Sequence, residues 1–300
     1  MDVRRGSRVE APGWIAALFE PARIEDASRI EWGFRNEVWR VGLDDGRRLA
    51  VTRFADTEAA TSIVALTTRL APRLRAAGVP SPTVIGAAVV APGTLVTDFV
   101  DGTVGAALLG APGGATLVGS TLGATWRRIA QVDTTDLGLD ETWLRPEDLA
   151  KSSRSRLERV GTVLGGAASR RLAEAIEVSA DLLAGRRATF VHGDLVPVNV
   201  ILRNGELAAL VDFEFARVAE PLLDAGWFDS IIAFHHPAER GVAWRAFVEA
   251  SGIDVGDQVT RDLLRILPML RYLEILDDRT AAREDASHWV AMLQRQLARS

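Results

Sequence analysis

The 300-residue sequence contains no cysteine, which excludes disulfides, thiolate zinc sites, iron–sulfur clusters and any cysteine nucleophile. Lysine is nearly absent too: of 35 Lys and Arg residues, Lys151 is the one lysine and 34 are arginine. Chemistry that usually falls to lysine must use Lys151, turn to an arginine, or be missing. The histidines give no metal-ligand spacing, because His235 and His236 are adjacent and point apart on a helix while His288 is distant. There is no basic excess: a net charge of −5 and a pI near 5.5 lack the footprint of a general nucleic-acid binder. No apolar run follows Met1-Asp2-Val3-Arg4-Arg5, so a secretory signal is not expected and a cytoplasmic location is. The stretch between Asp101 and Arg127 carries no charge and is long enough on paper to cross a bilayer. Its Pro112, Gly113-Gly114 pair and hydroxyl residues instead predict a loop and a small-residue helix, and no membrane partner.

What is present is ordinary for a globular chain, with 48% hydrophobic and 25% charged residues. At about 150 residues per domain the length predicts two domains or lobes, with enough core to need no staple. Apolar alternation predicts strands at about 28–34, 36–43 and 47–54, the last two joined by a hairpin turn at Asp44-Asp45-Gly46. An Ala/Leu/Thr/Arg-rich helix over 56–77 is stopped by Gly78-Val79-Pro80, and two more strands follow near 83–90 and 94–100. Beyond Gly102 helical segments dominate, at about 115–131, 146–160, 168–185, 221–235, 240–250, 258–277 and 280–298. Short β-rich runs interrupt them at 188–192, 199–203 and 207–213. The fold class is therefore α+β, and the composition shift near Asp98–Gly102 divides a lobe of 1–98 from one of 99–300.

The chemistry concentrates in Phe190-Val191-His192-Gly193-Asp194-Leu195-Val196-Pro197-Val198-Asn199, followed thirteen residues later by Asp212-Phe213-Glu214. A buried strand delivers a polar loop, and a hairpin returns Asp212 beside Asn199. Two carboxylates and an amide offer oxygen donors, which suit a hard cation such as Mg²⁺ holding phosphate oxygens better than a transition metal.

This passage resembles the aminoglycoside phosphotransferase and choline-kinase-like family, relatives of the protein kinases. The shared pattern is His-Gly-Asp, four residues, Asn, then an Asp-aromatic-acidic run. Departures are Val196-Pro197 where His-Pro is common, Val198 where Gly often precedes Asn199, and Phe213 where Trp is frequent. The resemblance implies a bilobal protein-kinase-like fold, with an N-terminal five-stranded antiparallel sheet plus helix and a mostly helical C-terminal lobe. It implies ATP or GTP and Mg²⁺ as cofactors, Asp194 as the catalytic residue, and Asn199 and Asp212 as metal ligands. On the nucleotide side it implies Arg53 at the end of the third strand as the phosphate-binding cation, oriented by Glu58. Gly33 and Asn36 would lie in the phosphate-covering turn, and Asp98, Phe99 and Val100 in the hinge that meets the base. His192 and Asp224 are expected as structural supports of the loop.

The acceptor is expected to be a small molecule with a hydroxyl group. Asp229, Glu274, Asp277 and Asp278 are tentative substrate residues, the last three sharing one helical face. If they line the cleft they favour a cationic acceptor such as an aminoglycoside, and hence antibiotic resistance; a solvated face is the alternative. Trp227, Phe228, Phe234 and Trp244 read as a stacking wall or as core. A metabolic choline, homoserine or sugar kinase would use the same machinery, and a non-catalytic kinase-like binding protein is the third class. A monomer or weak dimer is expected. Lys151, far in sequence from the nucleotide strand, reads as a surface charge.

Overall fold

The computed structural model describes residues 10–20, 22–30, 36–54, 57–87 and 93–299, apart from the side chains of 57–59 and 86–87. Gly33 lies outside the described residues, as does the side chain of Glu58. Contacts divide the chain into two compact units. The first comprises Met1–Gly114, Thr135–Gly138 and Pro197–Glu214; the second comprises Ala115–Thr134, Leu139–Val196 and Phe215–Ser300.

The first unit opens with α1 (Gly13–Ala16), β1 (Ile24–Ile30), β2 (Glu37–Leu43), β3 (Arg48–Arg53), α2 (Thr57–Ala76), β4 (Val84–Ala87) and β5 (Thr94–Asp98). The strands form one antiparallel sheet of order β1-β2-β3-β5-β4. Alternate residues Trp39, Val41 and Leu43 of β2, with Leu49 and Val51 of β3, point to one face and bury against Ile15 and Ala27. β1 starts four residues before its expected position, because pairing Ile30 to Val38 and Ile24 to Leu43 fixes its span from β2. Pro72 lies inside α2, a residue that the reading of 56–77 as helix passed over; the helix continues to Ala76.

This unit extends to Gly114. β6 (Thr103–Val104) and α3 (Gly105–Leu108) follow, and β6 pairs with β8 (Val200–Arg203), which pairs in turn with β9 (Glu206–Leu210). Those ladders draw residues 197–214 into the first unit. The strand expected over 207–213 stops at Leu210, so Asp212 lies beyond it.

The second unit is built from α4 (Gly114–Ile129), α5 (Pro146–Leu164), α6 (Gly166–Leu183), β7 (Thr189–Val191), β10 (Arg217–Ala219), α7 (Leu222–His235), α8 (Arg240–Ser251), α9 (Gln258–Ala281) and α10 (Ser287–Ala298). β7 and β10 pair antiparallel. α7 is buried around most of its circumference, with Leu222, Leu223, Ala225, Trp227, Phe228 and Ile232 all inside, as a central core helix requires. The charge-free stretch has a packing explanation. A Cβ added to Gly119 would sit 2.1 Å from the Ala243 carbonyl oxygen, and one on Gly123 would sit 2.3 Å from that of Phe247. Small residues one turn apart on α4 thus admit the backbone of α8, and among the described residues no helix is long and apolar enough to cross a membrane. The two helices expected at 258–277 and 280–298 are both present with the break displaced: α9 continues to Ala281, and α10 begins at Ser287, whose N–H donates to the Asp285 carboxylate at 2.9 Å. Lys151 is exposed on α5.

Candidate active site

In the second unit, β7 ends at Val191 and hands the chain to the loop carrying His192, Gly193 and Asp194. The Asp224 carboxylate, fully buried on the first turn of α7, accepts the backbone N–H of His192 at 2.7 Å and of Gly193 at 2.8 Å. Burial pushes this carboxyl up to about 7; the two N–H bonds and Arg217 oppose the rise, and the nearby Asp194 adds to it. Gly193 adopts φ +77°, and a Cβ there would lie 2.0 Å from the Phe215 carbonyl oxygen, so both conformation and space demand glycine. His192 is fully buried, and its Nδ1 accepts the Asp194 N–H at 3.3 Å. That bond makes Nδ1 the unprotonated nitrogen of the ring.

The Asp194 side chain is half-buried, and its Oδ1 accepts the indole Nε1–H of Trp227 at 2.7 Å. Asp224 and Trp227 stand three residues apart on α7 and therefore share a face. One helix face thus grips the loop twice, by its backbone and by its carboxylate.

In the first unit, Pro197–Asn199 form a 3₁₀ turn leading into β8, and Asn199 is buried. The Val211 N–H donates to the Asn199 carbonyl at 3.0 Å, which fixes Asp212 one residue from that contact. Asp212 has φ +67°, a left-handed conformation that aspartate tolerates better than most residues. The Asn36 amide donates to Glu214 at 3.3 Å, joining the segment before β2 to the Asp-Phe-Glu run. Arg53 is exposed at the end of β3, between Glu37 and Thr94, with its guanidinium 5.1 Å from the centroid of the Trp14 indole. After β5, the Asp98 N–H donates to Thr83 at 3.0 Å and the Phe99 N–H to Arg48 at 2.9 Å. Val100 follows them with no backbone partner among the described residues.

The sequence profile of the phosphotransferase enzyme family matches residues 26–255. The chain belongs to this family. Solved structures agree on the fold at low identity. The GDP and kanamycin complex of APH(2")-IIia superposes with a TM-score of 0.76 at 15% identity, covering 96% of this chain and 98% of that one. Macrolide 2'-phosphotransferase MphH from Brachybacterium faecium gives 0.64 at 19% identity, covering 89% and 90%. A thermostable APH(4)-Ia variant with ADP and hygromycin B gives 0.66 at 14% identity, covering 92% and 94%. No curated protein matches the chain.

In this phosphotransferase three of the four acidic residues expected to meet the acceptor have guanidinium partners. Asp229 takes two hydrogen bonds from Arg240, at 2.8 and 3.0 Å, and a further ion pair with Arg299. Asp277 receives a bidentate pair from Arg159 at 2.8 and 2.6 Å. Glu274 is buried and paired with Arg217 at 3.0 Å, with Arg156 at 3.1 Å and with Arg271. Burial would raise the Glu274 carboxyl, but Arg271, Arg217 and Arg156 outweigh it and bring it down to about 2. Asp278 is pushed up by burial and then by Glu274. The shared face of Glu274, Asp277 and Asp278 is present on α9, yet two of its three charges are matched inside the unit.

Two features escaped the sequence reading. Trp227, read as stacking wall or core, holds Asp194; its spacing of three from Asp224 was the available signal. The second is the arginine network behind the loop. Arg271 is buried with its guanidinium 4.3 Å from the Phe215 ring, and Arg217 lies 5.4 Å from the Trp143 ring. Nothing in local sequence announces pairs that join residues 156, 217, 271 and 274.

Proposed function

We propose that this phosphotransferase moves the γ-phosphoryl group of ATP or GTP to a hydroxyl of a small molecule, with Asp194 as the group that meets that hydroxyl. The observation that carries the reading is the double grip on the loop: Asp224 pins its backbone while Trp227 fixes one carboxylate oxygen of Asp194. A carboxylate held in one orientation within reach of the acceptor hydroxyl is placed to act as a general base. As the acceptor oxygen bonds to phosphorus and the bond to the nucleoside diphosphate breaks, the hydroxyl proton passes to Asp194. Positioning and charge stabilisation do most of the work in such a transfer.

Asn199 and Asp212 would hold Mg²⁺. The fit rests on donor chemistry: both offer oxygen, and the Val211–Asn199 bond fixes them one residue apart across the hairpin. Among the described residues no three His, Asp or Glu side chains gather to hold a metal by themselves, so phosphate oxygens would complete such a site. When bound, the cation neutralises phosphate charge during transfer. Arg53 is the nucleotide-side cation in this reading, supported by its place at the end of β3, and it would leave Trp14 to reach phosphate. The backbone of Val100 would meet the base, since its neighbours' N–H groups are engaged. Glu58 as the orienting partner of Arg53, Gly33 in the phosphate turn, and a lobe division at 98–102 belong to the same proposal.

The fold neighbours include enzymes named for aminoglycosides and macrolides, which supports an antibiotic acceptor; a cytoplasmic resistance role belongs to the same proposal. The guanidinium partners of Asp229, Glu274 and Asp277 favour the second reading, a metabolic kinase whose acceptor is not a polycation. Asp194→Ala is expected to lower kcat by about 10²–10⁴-fold while nucleotide still binds. Turnover near wild type would reject Asp194 as the reacting group. Asp212→Asn should weaken Mg²⁺-dependent nucleotide binding, read by titration with and without the metal.

A further inference from the structure

Within the second unit, α7, α9 and α10 line an open surface cavity of about 300 Å³ that none of the foregoing uses. Its floor is polar and fully connected. The Ser230 hydroxyl lies 2.9 Å from the Tyr272 hydroxyl and donates to Gln296 at 3.0 Å, and the Gln296 amide donates to the Arg265 carbonyl at 3.0 Å. Tyr272, the one tyrosine in the chain, is kept as the neutral phenol by burial. The walls are apolar, from Phe234, Ala233 and Met292. The rim is cationic: Arg295 and Arg299 line it, both exposed, and among the described residues no Asp or Glu side chain lines it.

The two arginines differ in what already holds them. Arg299 donates to Gln296 at 3.1 Å and pairs with Asp229, which Arg240 also neutralises, so this trio carries one net positive charge. Arg295 lies with its guanidinium 4.6 Å from the Phe234 ring centroid and makes no ion pair among the described residues. The rim therefore presents about two positive charges over an aromatic wall. The cavity also sits close to the proposed chemistry. The Tyr272 ring on its floor lies 4.7 Å from the Trp227 ring, and Trp227 holds Asp194.

We propose that this cavity anchors the non-reacting end of the acceptor, and that this end is anionic and partly apolar, a carboxylate or phosphate ester on an aromatic or aliphatic body. Calling the ligand the acceptor rests on the phosphotransferase reading of Asp194; the charge preference rests on the cavity alone. Guanidinium groups recognise such oxyanions by charge-assisted hydrogen bonds, and the same rim repels a polyamine. Of the acids on α7 and α9 that would have welcomed an aminoglycoside, Asp229, Glu274 and Asp277 are already paired with arginine.

The test uses three para-substituted probes of one shape: hydroxymethylbenzoate, benzenedimethanol and hydroxymethylbenzylamine, with kanamycin as a polycation. Binding to the full chain is read by ligand-observed NMR, and phosphorylation by nucleotide consumption with Mg²⁺. The benzoate is expected to bind at least about tenfold more tightly than the amine, and Arg295→Glu to remove that preference. Arg299→Gln, which keeps the contact with Gln296 possible, should weaken the benzoate by a smaller factor. Tighter binding of the amine or kanamycin would overturn the proposal, as would benzoate binding indifferent to Arg295→Glu. Phosphorylation of the benzoate that disappears in Asp194→Asn, while binding persists, supports its identity as acceptor-like. Nucleotide turnover that depends on Asp194 but ignores the probes' charge overturns the charge preference and leaves the enzyme reading standing. Probe binding that follows charge, with no transfer that depends on Asp194, overturns the acceptor assignment instead.

Discussion

Asp224 and Glu274 are both buried carboxylates in the same helical unit, yet their environments push them in opposite directions. Asp224 meets two backbone N–H dipoles and is raised to about 7; Glu274 meets three guanidiniums and is lowered to about 2. Burial penalises the charged form of each, so the difference comes from the partners. Two dipoles do not offset the desolvation of a full charge, whereas three cations more than do. The two acids consequently serve different ends. Asp224 shapes the loop that carries Asp194, and Glu274 neutralises a cluster of arginines that could not otherwise be buried.

The hardest blow to this comparison is removal of one side of the arginine cluster. Glu274→Ala leaves Arg217 and Arg271 buried without their shared counter-ion, and such uncompensated charge costs about 3–5 kcal/mol. Chemical denaturation should show a loss of that order, while Asp224→Asn loses less because its backbone partners are neutral. A loss below about 1 kcal/mol in Glu274→Ala would show that the cluster is solvated in solution.

Protonation offers a finer instrument, because the opposite shifts give slopes of opposite sign. The folded Glu274 carboxyl titrates below its unfolded value of 4.5, so its contribution is present above that pH and fades as pH falls toward 2. The folded Asp224 carboxyl titrates above its unfolded value of 3.8, so the folded state binds the extra proton and stability falls as pH rises from there to about 7. Subtracting the stability of Glu274→Gln from wild type should give a difference that grows from pH 3 to 5. The same subtraction for Asp224→Asn should give one that shrinks between about pH 4 and 7, with at most about 1.4 kcal/mol per pH unit. Slopes of the same sign would erase the contrast.

The contrast also marks where sequence was informative. The five N-terminal strands, α2 and the order of the C-terminal helices follow from apolar period and turn residues, which act within a few positions, whereas their assembly into one antiparallel sheet was implied by the family resemblance. His192-Gly193-Asp194 stood out because glycine at φ +77° beside the Phe215 carbonyl tolerates no substitute, so the motif is spelled locally. β6, α3 and β10 were missed because they are two to four residues long, and β6 and β10 owe their existence to pairing partners, Thr103 with Leu202 and Arg217 with Val191. The near-absence of lysine pointed to an arginine at the phosphate, and Arg53 is where that argument placed it. The bidentate pairs of Arg159 with Asp277, Arg186 with Glu220 and Arg240 with Asp229 show a wider use for the composition: a planar fork that lysine lacks. Acids spaced along one helix face looked like an invitation to a cation, because their partners on α5 and α8 cannot be read from α9 or α7 alone.

Trp227 gives the most delicate test, since it shares a helix face with Asp224 but touches the side chain of Asp194 and not its backbone. Trp227→Phe keeps the aromatic packing against Tyr272 and deletes one hydrogen bond. If Asp224 sets the loop and Trp227 sets the carboxylate, this variant should retain wild-type stability to within about 1.5 kcal/mol. Its kcat should drop about 10–100-fold with nucleotide KM unchanged, since a misaligned carboxylate costs orientation and not nucleotide binding. Trp227→His, which restores an N–H donor on a smaller ring, should recover part of the loss. A fall in stability matching the fall in kcat, with no recovery in the histidine variant, would make Trp227 a core residue that merely lies near Asp194, and the double grip of α7 would reduce to the single one of Asp224.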